Sequence, residues 1–448
     1  MKIRKLLVAL LAIAMIASVC VFPVVADGAN KNVIFICDDT SKGDGSGSSA
    51  ENPLKPTTGN YNADDSKPDY AKDAALYQAW KKLKAAGGGT IVICGPYTLN
   101  NANCQEIGGA SADFKMGASN RDPSITINYT SVWDGVDYRT TNNAELIMDD
   151  KSHITFPTTS VFENITVRAT SGNNGYHTFC AGTCPMTLGK GTNFVPADES
   201  NLDTYPTIFG GFRSQPSTGT DGDGTITVDI GNENYIGNIY GMCDGGSATH
   251  KGNVTITIKS GNIGHIAGDS RATGQVPQNG DIVMNLEGGI YRGQIAGVNI
   301  GFNGKCEKKM VQINITGGDF ENARGIIPNT PVADAVMPEI FNVDCSGAPM
   351  ETARQVKKNV SSAANLTLPE GYTDEAPEES TGATEGGDKN DATEGTKAPA
   401  NNDKPNDNKP VESNNSWIYI VIAVVAVAVV AVVVVIVIKK KKDAQAAE

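Results

Sequence analysis

Thr225-Ile226-Thr227-Val228-Asp229-Ile230, Asn253-Val254-Thr255-Ile256-Thr257-Ile258, Asp281-Ile282-Val283-Met284-Asn285-Leu286 and Met310-Val311-Gln312-Ile313-Asn314-Ile315 are four versions of one segment. Aligned on Ile226, Val254, Ile282 and Val311, they recur after 28, 28 and 29 residues. Apolar residues alternate with mostly polar ones. Successive side chains on a strand point to opposite faces, so each segment reads as a strand buried on one side. A single such strand cannot hide its apolar face, but equivalent strands stacked in parallel can.

A second strand follows in each unit: Gly237 to Gly241, Gly264 to Gly268, Gly293 to Gly297, and a weaker Glu321 to Gly325. Tight turns at Ser260-Gly261, Gly288-Gly289 and Gly317-Gly318 separate the two strands, and polar loops such as Cys243 to Gly252 close each unit. The pattern predicts an all-β solenoid in which Ile226, Val254, Ile282 and Val311 form an inward ladder, with Thr227, Thr255, Val283 and Gln312 facing outward. A propeller needs four strands in about 40–45 residues, and a doubly wound α/β fold needs amphipathic helices between its strands. Neither pattern is present.

Working back from the repeat, shorter strands are expected at Ser124 to Tyr129, Ala144 to Met148, His153 to Phe156 and Phe162 to Val167. They read as earlier coils with uneven loops. One helix is expected from Tyr70 to Ala86, capped by Asp69 and stopped by Gly87-Gly88-Gly89, with Leu76, Trp80 and Leu83 on one face. Its expected role is to cap the first coil and hide the open sheet edge.

Asp44-Gly45-Ser46-Gly47-Ser48-Ser49-Ala50-Glu51-Asn52-Pro53-Leu54, then this helix, then Gly87-Gly88-Gly89-Thr90-Ile91-Val92-Ile93-Cys94-Gly95-Pro96-Tyr97 resembles the opening of pectin-lyase-like right-handed parallel β-helix proteins. With the later coils the resemblance covers most of residues 32 to 345, although the insert Thr57 to Pro68 departs from the usual spacing. It implies a right-handed parallel β-helix with one N-terminal capping helix. The family includes polysaccharide lyases and glycoside hydrolases, but a shared fold does not fix an activity.

The ends of the chain predict display at a surface. Lys2, Arg4 and Lys5, an apolar run from Leu6 to about Val21, and small residues Val24 and Ala26 read as a signal peptide over 1–26; the apolar run is short for a retained anchor. Trp417 to Ile438 is continuously apolar and, as a helix, reaches ~33 Å, enough to cross a bilayer core of ~30 Å. Lys439 to Lys442 then mark the cytoplasmic side of a tail over 439–448. Residues 367–416 are rich in Glu, Asp, Asn, Thr, Gly and Pro and read as a disordered acidic stalk. The ectodomain is expected over 27–366, with regular repeats over 224–336. Leu368-Pro369-Glu370-Gly371 lacks the Thr of a wall-sorting LPxTG motif and lies far upstream, which favours a retained helix. The expected location is a cell membrane, single-pass, with the ectodomain outside and the C-terminus in the cytoplasm. The plan fits a Gram-positive bacterial surface.

The net charge of −13 argues against nucleic acid as a partner. Once Cys20 leaves with the signal, eight cysteines remain: Cys37, Cys94, Cys104, Cys180, Cys184, Cys243, Cys306 and Cys345. Cys180 and Cys184 are close enough to pair as a local disulfide. With His177 they also form the only hint of a zinc site. An even count outside the cell permits disulfides without giving their connectivity; Cys37 and Cys94 end two similar strands, and stacking as inward-facing thiols is the alternative for them.

Catalytic signals are sparse. Asp149-Asp150 and Gly264-His265-Ile266 stand without the NTD, GHG and RIK motifs of polygalacturonases, and adjacent Asp side chains on a strand point apart. Asp221 and Asp223 are the candidate Ca²⁺ ligands, on a Gly-rich loop that also reads as an ordinary turn. Arg213, Arg271 and Arg292 have no partner pattern, and His153, His177, His250 and His265 carry no metalloprotease or nucleophile motif. Tyr235, Tyr240 and Tyr291 are the candidate sugar-stacking residues, with corner filling as the alternative. The expectation is a surface module without catalytic activity that binds glycans or host and neighbour-cell ligands. The alternative is a membrane-tethered polysaccharide lyase or glycoside hydrolase. A binding module should carry aromatics and Asn/Asp ladders on a coil face, an enzyme a groove of carboxylates with Lys or Arg.

Overall fold

A computed structural model describes residues 32–39, 41–55, 75–99, 121–149, 153–170, 177–198, 204–212, 214–215, 222–243, 245–246, 252–271, 280–298, 310–329 and 337–374. The signal segment 1–26, the stalk beyond 374, Trp417 to Ile438 and the tail 439–448 lie outside them. Among the described residues no helix is long and apolar enough to cross a membrane.

Every pairing in the three large sheets is parallel, and the chain visits the sheets in turn, coil after coil. The longest sheet has 11 strands. It runs from Val33–Ile36 and Gly89–Ile93, through Asp122–Thr130, Thr158–Glu163 and Met186–Leu188, to the repeat strands Gly224–Asp229, Val254–Ser260, Ile282–Leu286 and Met310–Ile315, and ends at Ile340–Asp344 and Asn365–Thr367. A second sheet of 8 strands carries His153–Thr155, Thr178–Cys180, Thr207–Phe209, Tyr235–Tyr240, Asn262–Ala267, Gln294–Val298 and Gly325–Asn329, with Ile290–Tyr291 off its main path. A third, short sheet joins Pro96–Leu99, Glu145–Met148, Thr166–Ala169 and Asn193–Val195. Early coils therefore have three sides. Later ones turn directly from the long sheet to the second at left-handed glycines, Gly261 (φ +126°), Gly289 (φ +91°) and Gly318 (φ +105°). The architecture is a stacked, β-helix-like solenoid.

The inward ladder exists, but its register differs from the sequence alignment. Val254, Ile282 and Val311 stack as expected, and Phe341 continues their file. Ile226 pairs with Ile256 instead, and Gly224 lies beside Val254. A two-residue slip preserves the inward face, so alternation alone cannot detect it. The central file is thus Ile226, Ile256, Met284, Ile313 and Val343, all without exposed surface. Two further boundaries move. Phe162 to Val167 is not one strand, because Asn164 adopts φ +51° and turns a corner between two sheets. The weak fourth second-strand is Gly325–Asn329, where Ile326 rather than Ala323 continues the ladder of Ile239, Ile266 and Ile295.

Both ends of the interior are plugged. The N-terminal helix is seen from Ala75 to Ala85 and buries Leu76, Trp80 and Leu83 in the main core. Trp80 Nε1 donates to Thr158 Oγ1 at 3.2 Å. The free edge of Val33–Ile36 is covered by the Gly/Ser turn rather than by this helix: Phe35 N–H donates to Gly47 O at 2.9 Å, and Leu54 N–H donates to Phe35 O at 2.8 Å. At the far end a helix unforeseen in the sequence, Met350–Asn359, inserts Ala353 and Val356. Its Gln355 Oε1 accepts the Phe320 N–H at 2.8 Å. Packed structure runs through Asp374, past residue 366. Leu368 and Tyr372 pack against the core, and Lys357 Nζ pairs with Asp374 at 2.7 Å.

Candidate binding face

Neighbouring strands of the long sheet lie ~4.8 Å apart, so each outward position repeats as a file of side chains. One file reads Thr187, Thr227, Thr257, Asn285, Asn314, Asp344 and Thr367. The file beside it reads Thr225, Thr255, Val283, Gln312, Asn342 and Asn365. All are half-buried or exposed.

The amides of these files form one directional chain. Asn365 Nδ2 donates to Asn342 Oδ1 at 3.1 Å, Asn342 Nδ2 to Gln312 Oε1 at 3.1 Å, and Gln312 Nε2 to Asn314 Oδ1 at 2.8 Å. Asn314 Nδ2 then donates to Asn285 Oδ1 at 2.9 Å, and Asn285 Nδ2 to Thr257 Oγ1 at 3.4 Å. A primary amide has two N–H donors and two acceptor lone pairs. Each inner member therefore spends one of each on its neighbours, and one of each lies outside this network. Mutual bonding restricts the rotamers of these side chains.

The outward face of the second sheet is different. Cys180, Phe209, Tyr240, Ala267 and Ala296 form a sealed apolar file. Tyr240 stacks on Phe209 with ring centroids 5.3 Å apart and is buried. Tyr291 stacks on Phe320 at 4.4 Å, and its hydroxyl donates to Gly288 O at 2.6 Å. Tyr235 is half-buried against Tyr205, with centroids 4.5 Å apart. Tyr240 and Tyr291 are buried and fill packing space, the alternative role expected for them, while Tyr235 stays half-buried beside Tyr205.

Other candidates also have structural roles. Asp223 Oδ1 accepts the Asn253 N–H at 2.8 Å, and Asn253 Oδ1 accepts the Asp281 N–H at 2.9 Å, so Asp223 begins a corner ladder between coils. Asp221 lies outside the described residues. Among the described residues no group of three or more His, Cys, Asp or Glu is placed to hold a metal. Cys180 and Cys184 are buried thiols and do not form the expected staple. Cys180 faces the apolar file, while Cys184 lies by Arg121 and Asp122, where burial pushes its thiol up to about 11. His177 and His153 are buried, their rings beside Thr170 O (3.1 Å) and Thr178 Oγ1 (3.0 Å). Arg292 Nε donates to Asn262 Oδ1 at 2.7 Å. Asp149 accepts from Thr170 Oγ1. Arg213, Asp150 and His250 lie outside the described residues.

Asn285, Gln312 and Asn314 stand at the polar positions of the repeat, where alternation already placed them outward. Asn342 and Asn365 fall outside the repeat, because the strands Ile340–Asp344 and Asn365–Thr367 follow long or helical insertions that break the period. The alternation Ile340-Phe341-Asn342-Val343-Asp344 is the signal that finds the first of them. No protein-family model, curated protein or solved structure matches this chain.

Proposed function

We propose that this is a membrane-anchored cell-surface protein whose solenoid binds extended glycans along the long sheet, as an adhesin-like module without catalytic activity. The observation that carries the reading is the amide chain from Asn365 to Thr257. It offers a rigid row of paired donors and acceptors, which suits the hydroxyl-rich edge of a polysaccharide. In this reading residues 1–26 export the chain, Trp417 to Ile438 span the membrane, and the acidic stretch up to 416 lifts the solenoid from the lipid. The coils are right-handed, in keeping with the rule for parallel crossovers and with the resemblance to pectin-lyase-like proteins.

The test uses residues 27–374 on a panel of polysaccharides, alongside Asn314→Ala and Asn342→Ala. Removing one or two ladder amides should weaken binding by about tenfold while leaving the fold intact. Undiminished binding by both variants would place the site elsewhere. Release of unsaturated or reducing sugar ends would instead support the alternative, a tethered lyase or hydrolase. Protease added to intact cells should shed the ectodomain by cutting between 375 and 416; complete protection would reverse the topology.

A further inference from the structure

We propose that Cys37 and Cys94 form a redox-active dithiol that closes to a disulfide between the first two coils, with a disulfide-class oxidant as co-substrate. Val33–Ile36 and Gly89–Ile93 pair in parallel with Ile36 opposite Ile93, so the two cysteines are the next residues on adjacent strands. The ladder continues to them, since Cys94 N–H donates to Ile36 O at 3.0 Å. A strand spacing of ~4.8 Å lies within the ~4.4–6.8 Å that a disulfide requires between Cα atoms.

Contrary to the inward-stacking alternative read from sequence, both thiols sit on the outer face, in a small cluster with Phe35, Val92 and Ala50. Gly95 makes room for this arrangement: a Cβ there would come 3.1 Å from Cys37 Cβ. The two thiols lie on neighbouring strands of one small apolar cluster. Cys94 favours the Cys37 thiolate and holds Cys37 below the ordinary thiol range, while the neighbouring Cys37 and burial push Cys94 up. Cys94 Sγ–H is held on Ile36 O at 3.4 Å, whereas Cys37 Sγ has only the more distant Asp39 O at 4.0 Å, which with these directions assigns the attack to Cys37.

The reaction balances as an exchange. The Cys37 thiolate attacks one sulfur of the oxidant, and its partner sulfur leaves as a thiolate with the bonding pair. Cys94 loses its proton and attacks Cys37, which expels the second thiolate. Two cysteines lose two electrons in total, and the oxidant becomes two thiols. Residues 41–55 cover the pair through Ala50 and the bonds of Gly47 and Leu54 to Phe35. Oxidation therefore proceeds while this cover is open or before it docks during folding.

The full chain is treated with oxidised glutathione in two arms, on folded protein and during refolding of the reduced, denatured chain. Alkylation and digestion with trypsin plus chymotrypsin follow. Cutting after Tyr97 separates Cys94 from Cys104, and Lys42 bounds the peptide with Cys37. The expected product is a linked pair of these two peptides, lighter by two hydrogens than their sum and separated by dithiothreitol. Both thiols should lose alkylation together. Full alkylation of both in both arms, pairing of either with another cysteine, or a glutathione adduct on Cys37 that never resolves would each overturn the proposal.

Discussion

Ile256→Ala tests whether stability in this molecule is local. Ile256 has no exposed surface and lies between Ile226 and Met284 in the central file. The substitution removes three carbons, worth about 0.8 kcal/mol each, or about 2.4 kcal/mol of transfer free energy. Flanking side chains are held by strands on both sides and collapse poorly into the gap, so a cavity contribution brings the cost to about 3–4 kcal/mol. In a solenoid each coil touches only its neighbours, so the loss should fall on Gly224–Asp229, Val254–Ser260 and Ile282–Leu286. Hydrogen exchange followed by mass spectrometry reads this directly. Those three strands should exchange about 100- to 1,000-fold faster, since each 1.4 kcal/mol is about tenfold. Val33–Ile36 and Gly89–Ile93, many coils away and plugged by Trp80, should keep their protection. Equal acceleration at both places would refute the reasoning and indicate one cooperative core.

Gly241→Ala should destabilise by about 1–3 kcal/mol in chemical denaturation, because its Cβ would lie 2.3 Å from Gly268 O and 2.4 Å from a Val254 methyl; a neutral result would contradict the close stacking of this corner. Gln355→Leu strips the fully buried Phe320 of the acceptor for its N–H, at a cost of about 1–3 kcal/mol. Differential scanning calorimetry should show a lower Tm, and an unchanged Tm would mean the C-terminal plug does not depend on this bond. Acid should loosen the segment around Asp374, whose carboxyl is held below the usual range by hydrogen bonds from Lys357 and Tyr372. The folded form binds that proton more weakly than the unfolded chain. Its contribution is therefore complete above the ordinary carboxylate titration near ~3.9 and lost as the pH falls through the lower folded value. Lower protection factors at 365–374, each referred to the intrinsic exchange rate at its own pH, between about pH 5 and about pH 2, mimicked by high salt at neutral pH, are the expected result; indifference to both would remove the ion pair from the account.

The repeat strands were legible in the sequence because alternation and recurrence are local properties: Val254, Ile282 and Val311 could be aligned without coordinates, and Leu76, Trp80 and Leu83 marked a buried helix face. Their inward facing follows from the pleat alone. Register did not follow, because Ile226 and Val228 are interchangeable under a slip of two, and only the hydrogen-bonded ladder chooses Ile226 opposite Ile256. The tyrosines show the same limit. Tyr240 and Tyr291 have the composition of a sugar platform, but whether a ring meets solvent depends on Phe209 and Phe320, which are 31 and 29 residues away and arrive only when coils stack. The amide chain lies between these cases. Asn285 and Asn314 were outward by alternation, yet their bonding to Gln312, Asn342 and Asn365 joins four coils and exists only once parallel strands set equivalent side chains one strand spacing apart. Sequence determined which residues share a face; tertiary stacking decided which of them touch, because contact across a solenoid is made between coils and not along the chain.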